Sequence, residues 1–323
     1  MYTIQRFEPT DENYNTYAAI HNAIYPEMPL QAEIRRYDDE QRNTAYHLAR
    51  DFILKDETII GYGGFGEAFW FGDDGGYFWM NICIHPDHQR QGAASFWYGS
   101  AESRICELGG KHIMVETIET EIGAVEMLRH RGFTQVLRSA RSRVDLTELD
   151  FDAMPNQAAQ LPADGIEIRT LRDLKGSYSD WVARALDITN AIGVDVPRSE
   201  AYRPIPLRDF KLWMNHPHSD ENGWFYAVDT KIDEVIGLST IHYDPNNPQK
   251  VKVGETGVRR NYRRRGIARA LKIATMRFAH SVGGRTIDTD NEENNPMYKL
   301  NLQLGFKPLP ANVEFKKTLQ KIK

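Results

Sequence analysis

The sequence predicts a mixed α/β protein built from two copies of one domain fold, each a central mixed β-sheet flanked by helices. Three observations lead to this prediction: a repeat of long period, helical periodicity directly after a strand in both copies, and a glycine turn that joins this strand to this helix. The chain has 323 residues, which is long for one hydrophobic core and comfortable for two.

The repeat is carried by landmarks that keep their order and nearly their spacing. Segment 85–110 resembles segment 259–284, and Gly92 and Gly266 within them lie 174 residues apart. We therefore expect an N-terminal domain at residues 1–150, a linker at 151–165, which is rich in Pro, Ala, Asn, Gln and Asp, and a C-terminal domain at 166–323. The other landmark pairs are Gly109 with Gly283, Gly132 with Gly305 and Gly61 with Gly237, at spacings of 174, 173 and 176 residues.

The order of elements is alike in the two copies. Each begins with a short alternating strand, followed by a helical region and two further strands, which are residues 234–243 and 251–258 in the second copy. Apolar residues from Ile267 onward then recur at i, i+3, i+4, i+7 and i+11, which is one face of a helix. This helix is expected to end at a Gly-Gly pair in each copy, before a strand and a second helix that ends at each Gly-Phe pair.

Composition limits the classes of function. Hydrophobic residues make up 41% and charged residues 26%, as in a globular protein in water. The net charge of −5 argues against a protein held mainly by nucleic-acid phosphates, and no run of apolar residues has the length of a membrane span. Two cysteines make neither a disulfide framework nor a metal motif. We expect a cytoplasmic protein without a metal, a nucleic-acid partner or a membrane partner.

The junction between strand and helix in the second copy has the chemistry of a phosphate site. The first N–H groups of a helix have no acceptor within the helix, and they carry the positive end of its dipole. Gly266 lets the backbone approach an anion, and Ala268 is small for the same purpose. Segment 259–272 contains seven basic residues and no acid, which suits a ligand with a diphosphate and a further phosphate. The residues expected at this site are Val258, Arg263, Arg264, Arg265, Gly266, Ile267 and Ala268.

These residues resemble the acetyl-CoA motif of the GNAT superfamily of N-acetyltransferases, Val-x-x-x-x-(Gln/Arg)-x-x-Gly-x-(Gly/Ala). A second family motif, Asn-x-x-Ala-x-x-x-Tyr-x-x-x-Gly-Phe, is matched at Asn294 and at the pair Gly305-Phe306. The resemblance covers nearly the whole chain, once in each copy, and the two-copy layout is similar to that of the mycothiol synthases. In the first copy the corresponding loop consists of Ile84, Gln89, Arg90, Gln91, Gly92, Ala93 and Ala94.

The resemblance implies acetyl-CoA as the cofactor. The backbone near Val258 would pair with the amides of the pantetheine, the N–H groups of residues 264–268 would hold the pyrophosphate, and the region of Asn294 would flank the pantetheine. The first copy has few basic residues near its loop and has Glu121 where the family prefers Asn. It is therefore interpreted either as a second cofactor site or as a degenerate copy with a structural role.

Two residues are candidates for catalysis in the second copy. Transfer to an amine requires that a base, or a chain of waters, takes a proton. Glu255 lies in the strand before the loop, eight residues before Arg263, where the first copy has Asn81. The family often uses a tyrosine on the second helix as the acid, but Asn301 stands at that position. Tyr298 lies one turn earlier on the same helix and is the replacement candidate.

The function predicted from these residues is transfer of an acetyl group from acetyl-CoA to a primary amine of a small molecule, by a monomer or homodimer. Two alternatives remain open. One is an acyl-CoA sensor or interaction module without catalysis, which the missing tyrosine favours. The other is acetylation of a protein amine.

Overall fold

The computed structural model describes residues 1–26, 29–71, 75–154 and 161–319. Residues 155–160 of the expected linker lie outside these ranges. The helices are α1 (Asp11–Ile24), α2 (Ala32–Gln41), α3 (Ala93–Glu107), α4 (Ile122–His130), α5 (Leu171–Ser177), α6 (Trp181–Gly193), α7 (Leu207–Met214), α8 (Ile267–Ser281) and α9 (Pro296–Gln303). The strands are β1 (Tyr2–Arg6), β2 (Leu48–Lys55), β3 (Thr58–Glu67), β4 (Tyr77–Ile84), β5 (His112–Ile118), β6 (Thr134–Asp145), β7 (Ile166–Thr170), β8 (Ser219–Asp229), β9 (Glu234–Asp244), β10 (Asn247–Val258), β11 (Thr286–Glu292) and β12 (Lys307–Thr318).

The chain forms two compact units that repeat one architecture. The first unit contains residues 1–137, 199–203 and the chain from 313 onward, and the second contains residues 138–198 and 204–312. In the first, strands follow the order β1-β2-β3-β4-β5, and in the second the order is β11-β10-β9-β8-β7. Each unit has one parallel pair, β4 with β5 or β10 with β11, and antiparallel pairs elsewhere among these strands. The predicted mixed α/β fold in two copies is confirmed.

The units are not contiguous in sequence, which differs from the division into residues 1–150 and 166–323 expected from the repeat. The second unit receives residues 139–145 of β6, which pair antiparallel with β11. The first unit receives the end of β12, where Leu319 donates to the carbonyl of Lys111 at 2.8 Å. An exposed strand edge accepts any strand that fits its hydrogen-bonding groups. Local sequence therefore specifies that a final strand exists but not which edge it joins.

The helix that follows the glycine turn packs its predicted face into each core. In the first unit, Trp97, Ala101 and Ile105 of α3 are fully buried, and in the second, Ala270 and Leu271 of α8 are. The ends of these helices agree with the predictions to within a few residues, because the glycine that follows each one adopts a positive φ, at Gly109 and Gly283.

In both units the two parallel strands pair over only a short stretch. Strand β4 pairs with β5 over Tyr77–Trp79, and β10 pairs with β11 over Lys250–Lys252. Each strand then continues toward the glycine turn, to Ile84 and Val258, without pairing with its parallel neighbour. The edges that face each other beyond this point keep backbone N–H and C=O groups that another molecule can use.

Candidate functional site

The two glycine turns have the same backbone conformation. Gln89 and Arg263 share φ −68° and ψ 161°, and the next residues, Arg90 and Arg264, have φ 61° and 63°. Left-handed φ values cost energy at residues other than glycine and are kept where the structure uses them. Alternation of left- and right-handed residues turns successive N–H groups toward one point, which forms an anion-binding concavity.

Glycine is required at the start of each helix for its backbone conformation. Gly92 has φ 94° and Gly266 has φ 79°, and both cap their helices in the left-handed region. A Cβ on Gly92 would meet no atom within 4 Å, so space is not the reason. The first backbone donors with acceptors inside the helices are Phe96 and Ala270, each bonding at 3.0 Å to the carbonyl of the capping glycine. The preceding N–H groups of α3 and α8 are therefore directed at the concavity.

The side chains at the Gln/Arg position of the motif hold the loop in place. Gln89 donates to the carbonyl of Ile84 at 3.0 Å, and Arg263 donates to the carbonyl of Val258 at 3.0 Å. In both copies this bond joins the loop to the last residue of its strand. The predicted contribution of Arg263 to the phosphate site is thus made by positioning the backbone, while Arg264 and Arg265 have exposed side chains beside the loop.

Several arginines of the basic segment are paired with acids that are distant in sequence. Asp195, just after α6, bonds to both Arg260 and Arg263, and Arg260 Nε donates to it at 2.9 Å. The hydrogen bond from Arg260, followed by that from Arg263, lowers the pKa of Asp195 to about 2. Arg259 is paired with Asp187 in the same way. The segment therefore offers less net positive charge than its composition suggests, and sequence gave no sign of these partners.

Glu255 lies at a β-bulge in the strand that leads to the second turn. The pairing of β10 with β9 shifts register between Val253 and Thr256, so that Gly254 and Glu255 both lie opposite Thr240. The backbone N–H of Glu255 donates to Thr240 Oγ1 at 3.0 Å. Strand β4 of the first copy pairs with β3 over residues 61–67 without such a shift.

The carboxyl group of Glu255 has two properties expected of a proton acceptor, a raised pKa and an oxygen without a hydrogen bond from the described residues. Desolvation by burial raises its pKa, and the charge of Arg198 opposes this shift. Among the described residues, none forms a hydrogen bond with the buried oxygen Oε2 of Glu255. A raised pKa makes a carboxylate a stronger base, and an oxygen without a hydrogen-bond partner is open to another group.

The candidates on α9 and just before it occupy different environments. Tyr298 is half-buried on this helix. Asn301, at the position of the family's tyrosine, is fully buried, and its Nδ2 donates to Asn291 Oδ1 at 2.7 Å. Asn294 is exposed, and its Nδ2 donates to Glu292 Oε1 at 2.8 Å. Asn301 therefore belongs to the core of the second unit, which leaves Tyr298 as the hydroxyl group on this helix.

The corresponding place in the first copy is filled by side chains. Cys83 occupies the position aligned with Gly257, and its Sγ lies 4.0 Å from the hydroxyl of Tyr25. Burial raises the pKa of the Cys83 thiol. Tyr62 lies in the same buried cluster, and its hydroxyl contacts His21 Nδ1 at 2.9 Å. At Gly257 of the second copy, in contrast, a Cβ would approach Ile192 to 2.8 Å, so only glycine fits there.

The first glycine turn is also engaged by its own unit. The carbonyl of Gln91 accepts a hydrogen bond from Tyr2 Oη at 2.7 Å, and its side chain accepts one from Lys55 Nζ at 2.7 Å. Arg90 reaches the start of α4, where a Cβ on Gly123 would lie 2.5 Å from its Nη1. The predicted residues Ile84, Gly92, Ala93 and Ala94 keep the positions of their counterparts at the end of β4 and the start of α3.

Within residues 1–26, 29–71, 75–154 and 161–319, no group of three His, Cys, Asp or Glu side chains is arranged to hold a metal ion. In the same ranges, none of the helices combines the length and apolar character needed to span a bilayer. The candidate site consists of the backbone concavity, the separated strands and the side chains around Glu255.

Comparison with known proteins agrees with this geometry. Residues 11–133 and 188–306 each match the model of the acetyltransferase (GNAT) family. A tandem GNAT protein from the clavulanic acid biosynthesis pathway is similar in structure, with a TM-score of 0.77, 15% identity and 98% of each chain covered. A GCN5-related N-acetyltransferase from Sphaerobacter thermophilus has a TM-score of 0.73 and 16% identity, with 98% of this chain and 95% of that chain covered. No curated protein matches the sequence significantly.

Proposed function

Since the chain belongs to the acetyltransferase (GNAT) family, whose general reaction is acyl transfer from acetyl-CoA, we propose that it acetylates a primary amine of a small molecule. The observation that carries this proposal is the combination of two features in the second unit. One is the glycine turn that forms an anion concavity at the end of β10. The other is Glu255, a buried carboxyl group on the same strand with an oxygen that no described residue uses.

The residues of the second unit are of the types that bind the parts of acetyl-CoA, and they follow one another along the chain in the order of those parts. The N–H groups of residues 264–268 would hold the diphosphate, and the exposed side chains of Arg264 and Arg265 supply charge for a further phosphate. The edge of β10 between Val253 and Val258, which is not paired with β11, offers backbone groups to the amides of the pantetheine. Bound there, acetyl-CoA supplies a thioester whose carbonyl carbon is open to attack by an amine.

The side chains of the second unit supply the proton transfers. Glu255 takes the proton that the amine loses, directly or through a water, because its raised pKa makes the carboxylate a stronger base. Tyr298, as the hydroxyl group on α9, is the candidate that protonates the departing thiolate. The first unit lacks both groups at the aligned positions, where Asn81 and Val125 stand. We therefore assign catalysis to the second unit and a structural role to the first.

The test is a matched pair of variants, Gly266→Trp and Gly92→Trp. Both put a bulky residue at a left-handed position that caps a helix, so their general cost to stability should be similar. Calorimetry should show that Gly266→Trp abolishes acetyl-CoA binding while Gly92→Trp retains it. Unchanged binding in Gly266→Trp would refute the site, and loss in Gly92→Trp alone would reverse the roles of the units.

The acceptor is identified by a screen of small amines with release of CoA as the readout. Turnover with one of them supports the enzyme. Binding of acetyl-CoA without turnover on any small amine or peptide amine would instead favour a sensor or interaction module, for which the buried Asn301 in place of a tyrosine is the structural argument.

A further inference from the structure

A second proton-accepting group lies beside Glu255 on the neighbouring strand. His242 of β9 packs edge-on against Trp224, with ring centroids 5.6 Å apart, and is largely enclosed. Burial, together with the charges of His216, Lys252 and His218, lowers the pKa of His242 to about 4. The imidazole is therefore neutral at physiological pH, and one of its nitrogens carries a lone pair.

The hydrogen bonds of Ser219 decide which nitrogen this is. Ser219 Oγ donates its single hydrogen to the carbonyl of Trp213 at 2.6 Å. The same oxygen contacts His242 Nδ1 at 3.3 Å. Since the hydroxyl hydrogen is already used, this contact requires that Nδ1 carries the proton and donates it to Ser219. Nε2 of His242 is then the unprotonated nitrogen, which acts as a hydrogen-bond acceptor.

Nε2 of His242 is directed at the bulge that presents Glu255. A Cβ built on Gly254 would lie 3.0 Å from this nitrogen and 2.4 Å from Thr240 Oγ1. Gly254 is exposed and immediately precedes Glu255 in the chain. Absence of a side chain at residue 254 thus leaves Nε2 uncovered by this residue, next to the position of Glu255 in the chain.

Both acceptors lie on the face of the sheet that is covered by α6 and α7. Gly257 faces Ile192 of α6, and Glu255, two residues earlier on β10, points to the same face. Trp224, against which His242 packs, contacts Phe210 of α7, with ring centroids 6.3 Å apart. A ligand at Glu255 therefore approaches from the side on which His242 lies.

We propose that His242 Nε2 and Glu255 together bind the amine acceptor, and that the acceptor is a polar amine with a second N–H or O–H donor near the reacting nitrogen. This inference rests on the proposed function and deepens it by naming the class of acceptor. A carboxylate and an imidazole lone pair accept hydrogen bonds and donate none, so together they match a ligand that presents two donors. A monoamine with an alkyl group in place of the second donor leaves Nε2 of His242 without a hydrogen bond.

The first experiment compares pairs of acceptors that differ by one donor, such as an amino alcohol or a diamine and the alkyl monoamine of the same length. Wild type should prefer the donor-bearing member of a pair roughly tenfold in kcat/KM, the size expected of one hydrogen bond. His242→Phe should remove this preference, raising KM for the donor-bearing acceptor and leaving that for acetyl-CoA unchanged. His242→Gln, which keeps an acceptor atom near the position of Nε2, should retain part of it.

Gly254→Ala disturbs the same bulge while keeping both acceptor side chains: its Cβ would approach Nε2 of His242 to 3.0 Å, and also Thr240 Oγ1 to 2.4 Å, the oxygen that accepts from the N–H of Glu255. It should lose the preference in the same way as His242→Phe. If His242→Phe lowers kcat/KM equally for both members of a pair, or changes neither, the assignment of His242 is overturned.

A measurement independent of turnover separates this inference from the proposed function. In ¹⁵N NMR of protein with labelled histidine, His242 should show a protonated Nδ1 and an unprotonated Nε2, and the Nε2 signal should move when an amino alcohol is added. The opposite tautomer, or an Nε2 signal unaffected by the amino alcohol, would refute the inference even for an active enzyme. A wild type that moves the signal but releases no CoA would refute the proposed acetyl transfer and leave the binding role intact.

Discussion

The two glycine turns of this chain have nearly identical backbones and very different surroundings. Arg90 and Arg264 share an uncommon left-handed φ, and Gln89 and Arg263 make the same bond to the end of their strands. Before the second turn, strand β10 carries a bulge, Gly257 and the carboxyl group of Glu255. Around the first turn the aligned strand is regular, and Cys83 replaces the glycine.

The difference shows that the conformation of the loop can occur without the side chains that would take part in a reaction. A loop of this kind is a local structure, set by a few residues with restricted φ and by helix geometry, and it is present in a copy whose strand has neither the bulge nor the carboxyl group. The chemistry depends on side chains from several strands and helices, and the first copy has Asn81 and Cys83 where the second has Glu255 and Gly257. Similarity of the loops is thus weak evidence that both copies bind acetyl-CoA or catalyse a reaction.

The largest effect is expected when the two copies are compared at the aligned positions Glu255 and Asn81. Glu255→Gln should lower kcat by roughly 10²–10⁴-fold, because a general base is lost while the shape of the side chain is kept. Affinity for acetyl-CoA, measured by calorimetry, should remain nearly unchanged.

The pH dependence of the same variant gives an independent check. In wild type, kcat should fall as the pH decreases through the raised pKa of Glu255, because protonation removes the base. This acidic limb should be absent in Glu255→Gln. Asn81→Ala is the control in the first copy and should keep kcat and the limb. Wild-type kcat in Glu255→Gln across the pH range would rule out the base.

A smaller effect, on stability, is expected at the aligned pair Lys272 and Tyr98. Lys272 is buried in the second core, and desolvation lowers its pKa to about 7. The buried lysine therefore lowers the free energy of unfolding. This penalty is fully present below pH 7 and disappears as the pH rises toward 10.5, the pKa of Lys272 in the unfolded chain. Lys272→Met should raise the free energy of unfolding by ~2–4 kcal/mol at pH 6–7, since each pKa unit corresponds to about 1.4 kcal/mol.

Urea unfolding at pH 6, 8 and 10 measures this change. The gain from Lys272→Met should shrink with each step in pH. Tyr98→Phe is the control, because burial raises the pKa of Tyr98 and its hydroxyl stays protonated over this range. A gain that is the same at all three pH values would show that Lys272 is not the titrating group.

The smallest effect is expected at the carboxylates near the two turns. Asp195→Asn removes the charge that pairs with Arg260 and Arg263, and should lower the free energy of unfolding by about 1 kcal/mol at pH 7, since this cluster is partly exposed to water. Because the pKa of Asp195 is lowered to about 2, its contribution is present above the unfolded value of 3.8 and is lost as the pH falls through 2.

The matched variant at the first turn is Asp87→Asn. Asp87 is exposed and is not bonded to the side chain at the Gln/Arg position, so the change should stay within about 0.5 kcal/mol. Thermal or urea unfolding at pH 7 and pH 3 compares the two. Equal effects of Asp195→Asn and Asp87→Asn at pH 7 would mean that the arginine pairs around Asp195 do not stabilise the second turn.

Sequence by itself determined the repeat, the strand-to-helix junctions and the turn. These features are local: a positive φ favours glycine at Gly92 and Gly266, an apolar period of 3.6 residues marks the buried face of α8, and the glycine at Gly283 ends that helix. Glu255 was placed correctly on the strand before the turn, because distance along an extended strand is fixed by the number of residues.

Only the tertiary structure decided the rest. Strand β6 joins the sheet of the second unit, Asp195 neutralises arginines 65 and 68 residues away, and Asn301 is turned into the core. His242 lies beside Glu255 because β9 pairs with β10 around a bulge, which the residues of either strand alone do not specify. Each of these depends on contacts between segments that are distant in the chain, and the free energy of such contacts comes from burial and hydrogen bonding in the folded state rather than from the conformational preference of any one residue.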